Sequence, residues 1–164
     1  MKQVLLWLRV VRPWTLPASI APVAAGLAAA SRVTALSRPT AAVTICAAAA
    51  LQILANLIND YLDFRNGRDR RGRIGPGRAL AEGTVSLSGM ENAIAVAFLT
   101  AVAGGAFLVW KGGIVILAIG CAALLCAWLY TATSRSLAAL GIADIFVFLF
   151  FGPVASAGTA FLQT

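Results

Sequence analysis

The chain has 164 residues, of which 60% are apolar and 12% charged, and it contains no histidine. A soluble domain carries about 25% charged residues, so about half of an ordinary solvated surface is missing. With a mean hydropathy of +0.88, a cytosolic enzyme, a secreted disulfide scaffold and a nucleic-acid-binding module are all excluded, and an integral membrane protein remains. The net charge of +7 then points to anionic headgroups or an anionic substrate at a membrane surface rather than to nucleic acid. Cys46, Cys121 and Cys126 all fall in apolar segments and read as buried thiols behaving as small hydrophobes.

A spanning helix needs about 20 mostly apolar residues. The sequence predicts an all-α membrane bundle. Residues 1–13 form an interfacial amphipathic segment, in which Lys2, Arg9 and Arg12 alternate with apolar residues and Trp7 and Trp14 serve as headgroup-level anchors. Arg9, Arg12 and Pro13 interrupt any signal-peptide core. Five spans follow over 14–31, 39–64, 89–110, 113–130 and 139–162. Pro17 and Pro22 are expected to bend the first span. Lys111-Gly112-Gly113 turns spans three and four into a hairpin. An Arg-rich loop, 65–88, joins spans two and three and holds Arg65, Arg68, Arg70, Arg71, Arg73 and Arg78. Alternate exposed segments carry ten and three Lys/Arg residues, so the positive-inside rule places the N-terminus and this loop in the cytoplasm.

The chemistry concentrates at the end of the second span. At 3.6 residues per turn, Asn56, Asn59, Asp60 and Asp63 share a stripe about 100° wide. Two carboxylates so placed near hydrocarbon repel one another unless a cation joins them. Mg²⁺ suits them, because it takes hard oxygen ligands, commonly one or two carboxylates plus substrate phosphates. Gly67 is the expected left-handed helix terminus, and the turn it makes could fold Asp69 and the arginines back over the stripe. The pattern suggests capture of a diphosphate through Mg²⁺, with guanidinium groups neutralising the remaining charge. Asp144, a lone acid at the start of span five, could equally serve a helix N-terminus.

The stretch resembles the first aspartate-rich motif of the UbiA superfamily of membrane prenyltransferases, Asn-Asp-x-x-Asp-x-x-x-Asp. Asn59, Asp60 and Asp63 match it, while the last position is Gly67 and the nearest acid is displaced to Asp69. That spacing is similar to the MenA branch, which prenylates 1,4-dihydroxy-2-naphthoate in menaquinone synthesis. So are Arg12-Pro13-Trp14-Thr15-Leu16-Pro17-Ala18-Ser19, Arg73-Ile74-Gly75-Pro76-Gly77-Arg78, Gly141-Ile142-Ala143-Asp144 and Phe150-Phe151-Gly152-Pro153.

The resemblance implies transfer of a polyprenyl group from polyprenyl diphosphate to a dihydroxynaphthoate-like aromatic acid, with loss of the ring carboxylate, in a bacterial cytoplasmic membrane. It implies Mg²⁺ as cofactor, held by Asn59, Asp60, Asp63 and Asp69. Asp60, Asp63 and Tyr130 would be catalytic. Asn56, Arg65, Arg73, Arg78 and Arg135 would bind diphosphate, and Asp144 would lie on the acceptor side. The family's bundle has nine spans and a second motif, Asp-x-x-x-Asp, which this sequence lacks. The expectation is therefore a fragment or truncated reading frame that is inactive alone. Another aromatic acceptor such as 4-hydroxybenzoate, or a non-enzymatic transporter or scaffold subunit, remains as an alternative.

Overall fold

A computed structural model describes residues 2–67, 79–131 and 143–164. The described residues are helical with no strand: α1 (Lys2–Val11), α2 (Leu16–Ala30), α3 (Arg38–Arg65), α4 (Leu87–Thr131), α5 (Ala143–Leu149) and α6 (Ala155–Phe161). Two helical runs, Arg38–Arg65 and Leu87–Leu125, are long and apolar enough to cross a membrane. Together with the composition, they make this an all-α membrane bundle.

Local chemistry sets most boundaries. Arg12 takes a left-handed conformation, φ 54°, which stops α1, and Pro13 opens a short 3₁₀ turn, Pro13–Thr15, before α2. The segment expected to be amphipathic is thus helical over Lys2–Val11, and the helix expected to begin at residue 14 starts at Leu16. Pro22 lies inside α2 without interrupting it. Ser37, extended, and Pro39 begin α3, whose 28 residues reach about 42 Å. Gly67, at φ 62°, ends α3 as expected. Its N–H bonds Phe64 O at 3.1 Å. At the far side of the loop, Gly83 (φ 67°) turns the chain back and Thr84 bonds Ala79 O through both N–H and Oγ1, each at 3.0 Å. Ser86 Oγ then accepts the Gly89 N–H at 3.1 Å, capping α4.

Gly113, at φ 63° and ψ −149°, breaks α4 into two limbs. Leu124 packs against the same apolar cluster as Met90 and Ala97. A straight helix would carry Leu124 about 40 Å beyond Ala97, so the limbs fold back as the expected hairpin. Beside the break, Lys111 Nζ stands 4.8 Å over the Trp110 ring, a pairing suited to a headgroup boundary. The fifth span departs from expectation. Instead of one helix over 139–162, α5 and α6 flank a wide π turn, Phe150–Val154, with Gly152 at φ −129°, ψ −106°. Pro153 lacks an N–H and its ring clashes with the carbonyl four residues back, so the chain widens there.

α3 is the hub, packed most extensively against α4 and also against α2 and α1. One core cluster lies at the Arg-rich end, where Val10, Leu54, Leu57, Leu80, Val85 and Met90 meet. A second, around Ala47, Leu108 and Ile116, lies toward the opposite end, where Gln163 Oε1 accepts the Ser37 N–H at 2.8 Å. Helices approach closely where side chains are small. A Cβ on Gly104 would lie 3.1 Å from Ala47 Cβ. One on Gly26 would lie 2.7 Å from Thr159 Cβ and closer still to the Ser156 carbonyl. Cys46 and Cys121 lie in apolar helices but are exposed on the bundle surface. The reading of them as buried is corrected, because the α3–α4 contact is filled by alanine and glycine instead.

Candidate functional site

Three polar side chains in the last turns of α3 are buried: Asn56, Asp60 and Asp63, at 7%, 3% and 8% exposure. Burial of two acids within one helical turn of each other identifies this end of α3 as the polar centre of the described chain. Asn59 is half-buried on the same face, and Asn59, Asp60 and Asp63 each engage a neighbour. One oxygen on each of two residues, Asn59 Oδ1 and Asp60 Oδ1, is buried outside any hydrogen bond. Gln52 extends the stripe one turn deeper, and its Oε1 is buried without a hydrogen-bond partner. Its spacing of four from Asn56 was the signal that could have revealed it.

Asn56 does something the sequence did not disclose. Its Nδ2 donates to Val11 O at 3.2 Å and to Thr15 Oγ1 at 2.8 Å. Thr15 Oγ1 in turn donates to Arg12 O at 2.9 Å. Both amide hydrogens therefore tie α3 to the turn joining α1 and α2. In this arrangement both amide hydrogens of Asn56 are engaged within the chain, leaving no donor for the diphosphate that the family resemblance implied it would bind. Arg65 also stands elsewhere. Two residues after Asp63, it projects about 160° around the helix from it. Its guanidinium lies 6.0 Å from the Tyr61 ring centre, and Tyr61 OH donates to Glu91 Oε1 at 3.0 Å. Arg65 thus joins an exposed α3–α4 cluster rather than the acidic stripe.

The turn that Asn56 holds closes one side of a cavity of about 360 Å³, walled by Leu6, Arg9, Arg12, Trp14, Asp60 and Glu82 among others. Sequence reasoning missed Arg9 and Arg12 as neighbours of Asp60. They lie some fifty residues away along the chain, and only the packing of α1 on α3 unites them. Asp69, Arg73, Arg78 and Arg135 lie outside the described residues, as do the side chains of Tyr130 and Asp144.

The donor set suits a hard divalent cation. Asn59, Asp60 and Asp63 supply an amide oxygen and two carboxylates on one face, within the one or two carboxylates that Mg²⁺ commonly takes from protein. Among the described residues, no three His, Cys, Asp or Glu side chains group to form a closed metal cage. Among the described residues the oxygen donors thus come from one face of α3.

Comparison with known proteins fits this geometry. The 1,4-dihydroxy-2-naphthoate octaprenyltransferase of Mycobacterium tuberculosis is 34% identical over 157 residues, covering 96% of this chain and 53% of the relative. The Escherichia coli protein of the same name is 32% identical over 163 residues, again covering 96% of this chain and 53% of its own length. The chain thus spans about half the length of the curated relatives it matches. No solved structure matches it. Residues 19–164 match the model of the UbiA prenyltransferase family, and the chain belongs to that family.

Proposed function

We propose that this chain supplies the first aspartate-rich wall of an enzyme that prenylates 1,4-dihydroxy-2-naphthoate in menaquinone synthesis. The enzyme would sit in a cytoplasmic membrane with its Arg-rich end toward the cytoplasm. The observation that carries the reading is the burial of Asp60 and Asp63 on one face at the Arg-rich end of α3, in a chain of this family. Acids so placed are expensive in an apolar bundle and point to a cationic partner.

Asn59, Asp60 and Asp63 would hold Mg²⁺, which neutralises a bound diphosphate and stabilises it as a leaving group. The allylic C–O bond of a polyprenyl diphosphate breaks with its electron pair leaving on the diphosphate. The ring carbon bearing the acceptor's carboxylate attacks the resulting cation. The new C–C bond forms as the C–carboxylate bond breaks, carbon dioxide departs, and its bonding pair returns to the ring. The bundle's part is to exclude water from the cation and to hold the two substrates in register. No histidine base is needed, because the charge to be stabilised is on the leaving group. The relatives' names support naphthoate over 4-hydroxybenzoate as acceptor, and their greater length supports a second wall contributed from outside these 164 residues.

The test is binding of farnesyl thiolodiphosphate, a non-ionising donor analogue, to the chain in lipid nanodiscs. Mg²⁺-dependent binding that Asp63→Asn weakens at least tenfold is the expected result. Binding that ignores both Mg²⁺ and Asp63, or ion flux through the chain without such binding, would overturn the proposal. Turnover with dihydroxynaphthoate by the 164-residue chain alone would refute the need for a second wall.

A further inference from the structure

Charge is divided unevenly between the two ends of the bundle. The acids of the chain are Asp60, Asp63, Asp69, Glu82, Glu91 and Asp144, and none occurs before residue 60, between 91 and 144, or after 144. The end opposite the Arg-rich loop, built from the start of α3, the Gly113 hairpin and the end of α6, is therefore basic without a nearby carboxylate side chain. Packing brings two of its cations to either side of the end of α6. Ser37 N–H donates to Gln163 Oε1 at 2.8 Å, and a Cβ on Gly112 would lie 3.0 Å from Leu162 Cδ2. Arg38 and Lys111 are the immediate neighbours of Ser37 and Gly112. Both are exposed. Among the described residues neither makes an ion pair, and Lys111 Nζ rests 4.8 Å over the Trp110 ring.

Below these cations runs a groove of about 560 Å³ between α3 and the first limb of α4, lined by Ala42, Cys46, Leu99, Thr100, Ala103 and Gly104 among others. Arg38 heads its α3 wall, four and eight residues before Ala42 and Cys46 and within about 80° of both around the helix. Lys111 heads its α4 wall, seven and eleven residues after Gly104 and Thr100 and within about 20° of both. The two walls meet where a Cβ on Gly104 would lie 3.1 Å from Ala47 Cβ. From that contact Arg38 is about 14 Å up α3 and Lys111 about 10 Å up α4, so both stand at one level over the mouth of the groove. Thr100, the one hydroxyl in the lining, already donates to Val96 O at 2.8 Å. The groove thus makes no polar demand of its own, and all its unmatched charge is at the mouth.

We propose that this groove is a binding site for one anionic phospholipid of the surrounding bilayer. An acyl chain lies along the α3–α4 groove, and the phosphodiester is held at its mouth by Arg38 and Lys111. The exposed Trp110 indole beside Lys111 sits at headgroup level, where such rings partition. Charge complementarity selects this occupant. A packed apolar helix would fill the groove and leave two cations unmatched, and a zwitterionic lipid brings an ammonium that competes with them. An anionic lipid matches the hydrocarbon and the charge together. The site is separate from the acidic stripe, which lies at the other end of α3, and does not depend on the prenyltransferase reading.

The experiment places the chain in nanodiscs containing phosphatidylglycerol or phosphatidylcholine with a photoactivatable diazirine on one acyl chain, and maps the adducts by peptide mass spectrometry. Adducts on residues 42–47 and 99–104 should favour phosphatidylglycerol by roughly fivefold or more, the effect of one or two cations near a headgroup. Arg38→Gln with Lys111→Gln should abolish that preference while leaving adducts at the Arg-rich end unchanged. Arg38→Lys with Lys111→Arg, which keeps both charges, should retain it. Ala103→Phe, which fills the groove from an exposed position, should lower groove adducts of both lipids. Circular dichroism verifies that each variant is folded. Equal labelling of the groove by the two lipids overturns the inference. So does a preference that survives loss of both charges, or groove adducts indifferent to Ala103→Phe. A groove that neither lipid labels would be covered by protein, which also overturns it. Excess sn-glycerol 3-phosphate should not displace the phosphatidylglycerol adducts; displacement would show a phosphate site without a chain site and refute the role of the groove.

Discussion

Asn56→Ala and Thr15→Val together test whether α3 is tied to the turn at the end of α1. Asn56 makes two hydrogen bonds there, at 3.2 Å to Val11 O and 2.8 Å to Thr15 Oγ1. Interhelical bonds in membrane proteins average about 0.6 kcal/mol and reach about 1.7. Leaving a buried acceptor bare adds about 1–3 kcal/mol. Asn56 is only 7% exposed, so water replaces its amide poorly, whereas Thr15 is half-buried and its hydroxyl is partly rehydrated. Asn56→Ala should therefore destabilise the bundle by about 2 kcal/mol, and Thr15→Val by about 1 kcal/mol. The Val11 bond is not shared with Thr15, so only the 2.8 Å bond enters the coupling, which should be about 1 kcal/mol. Reversible unfolding in mixed micelles of the parent, both single variants and the double variant measures it. Coupling no larger than the additivity scatter of roughly 0.3 kcal/mol would refute the reasoning, because the two side chains would then act independently.

Gly26→Ala should destabilise by about 1–3 kcal/mol, since its methyl would meet Thr159 Cβ and the Ser156 carbonyl. Gly105→Ala, with nothing within 4 Å, should be neutral or stabilising by less than about 1 kcal/mol; equal effects in a thermal unfolding assay would contradict the close α2–α6 approach. Gly113→Ala should cost about 1–3 kcal/mol, because φ 63° with ψ −149° is glycine's territory. A spin-label distance between residues 97 and 124 should then broaden, and an unchanged distribution with unchanged stability would count against the hairpin turn. Asp63→Asn should keep the fold, seen as unaltered circular dichroism, while abolishing Mg²⁺-dependent protection of α3 from hydrogen exchange. Protection that survives would place the cation elsewhere.

Much of the architecture was legible because hydropathy and turn chemistry are local. The apolar runs, the Gly67 terminus and the break after Lys111 could be read from neighbouring residues alone. The fifth span was misread for the same local reason: its hydropathy is continuous, but Gly152-Pro153 cannot complete an α-helical ladder. Periodicity placed Asn56, Asn59, Asp60 and Asp63 on one face, and burial bears that placement out for Asn56, Asp60 and Asp63. It did not show what each residue faces. The resemblance implied a diphosphate-binding role for Arg65 beside the acids, yet a helix sends residues two apart to nearly opposite sides.

The sequence by itself therefore determined a membrane bundle with an acidic stripe beside an arginine-rich loop, because transfer free energies accumulate residue by residue along each helix. Only the tertiary structure decided that Asn56 holds a turn and that Arg12 shares a cavity with Asp60. Those pairings join residues more than forty positions apart. They arise from how α1 lies across α3, and no period within either helix encodes that packing.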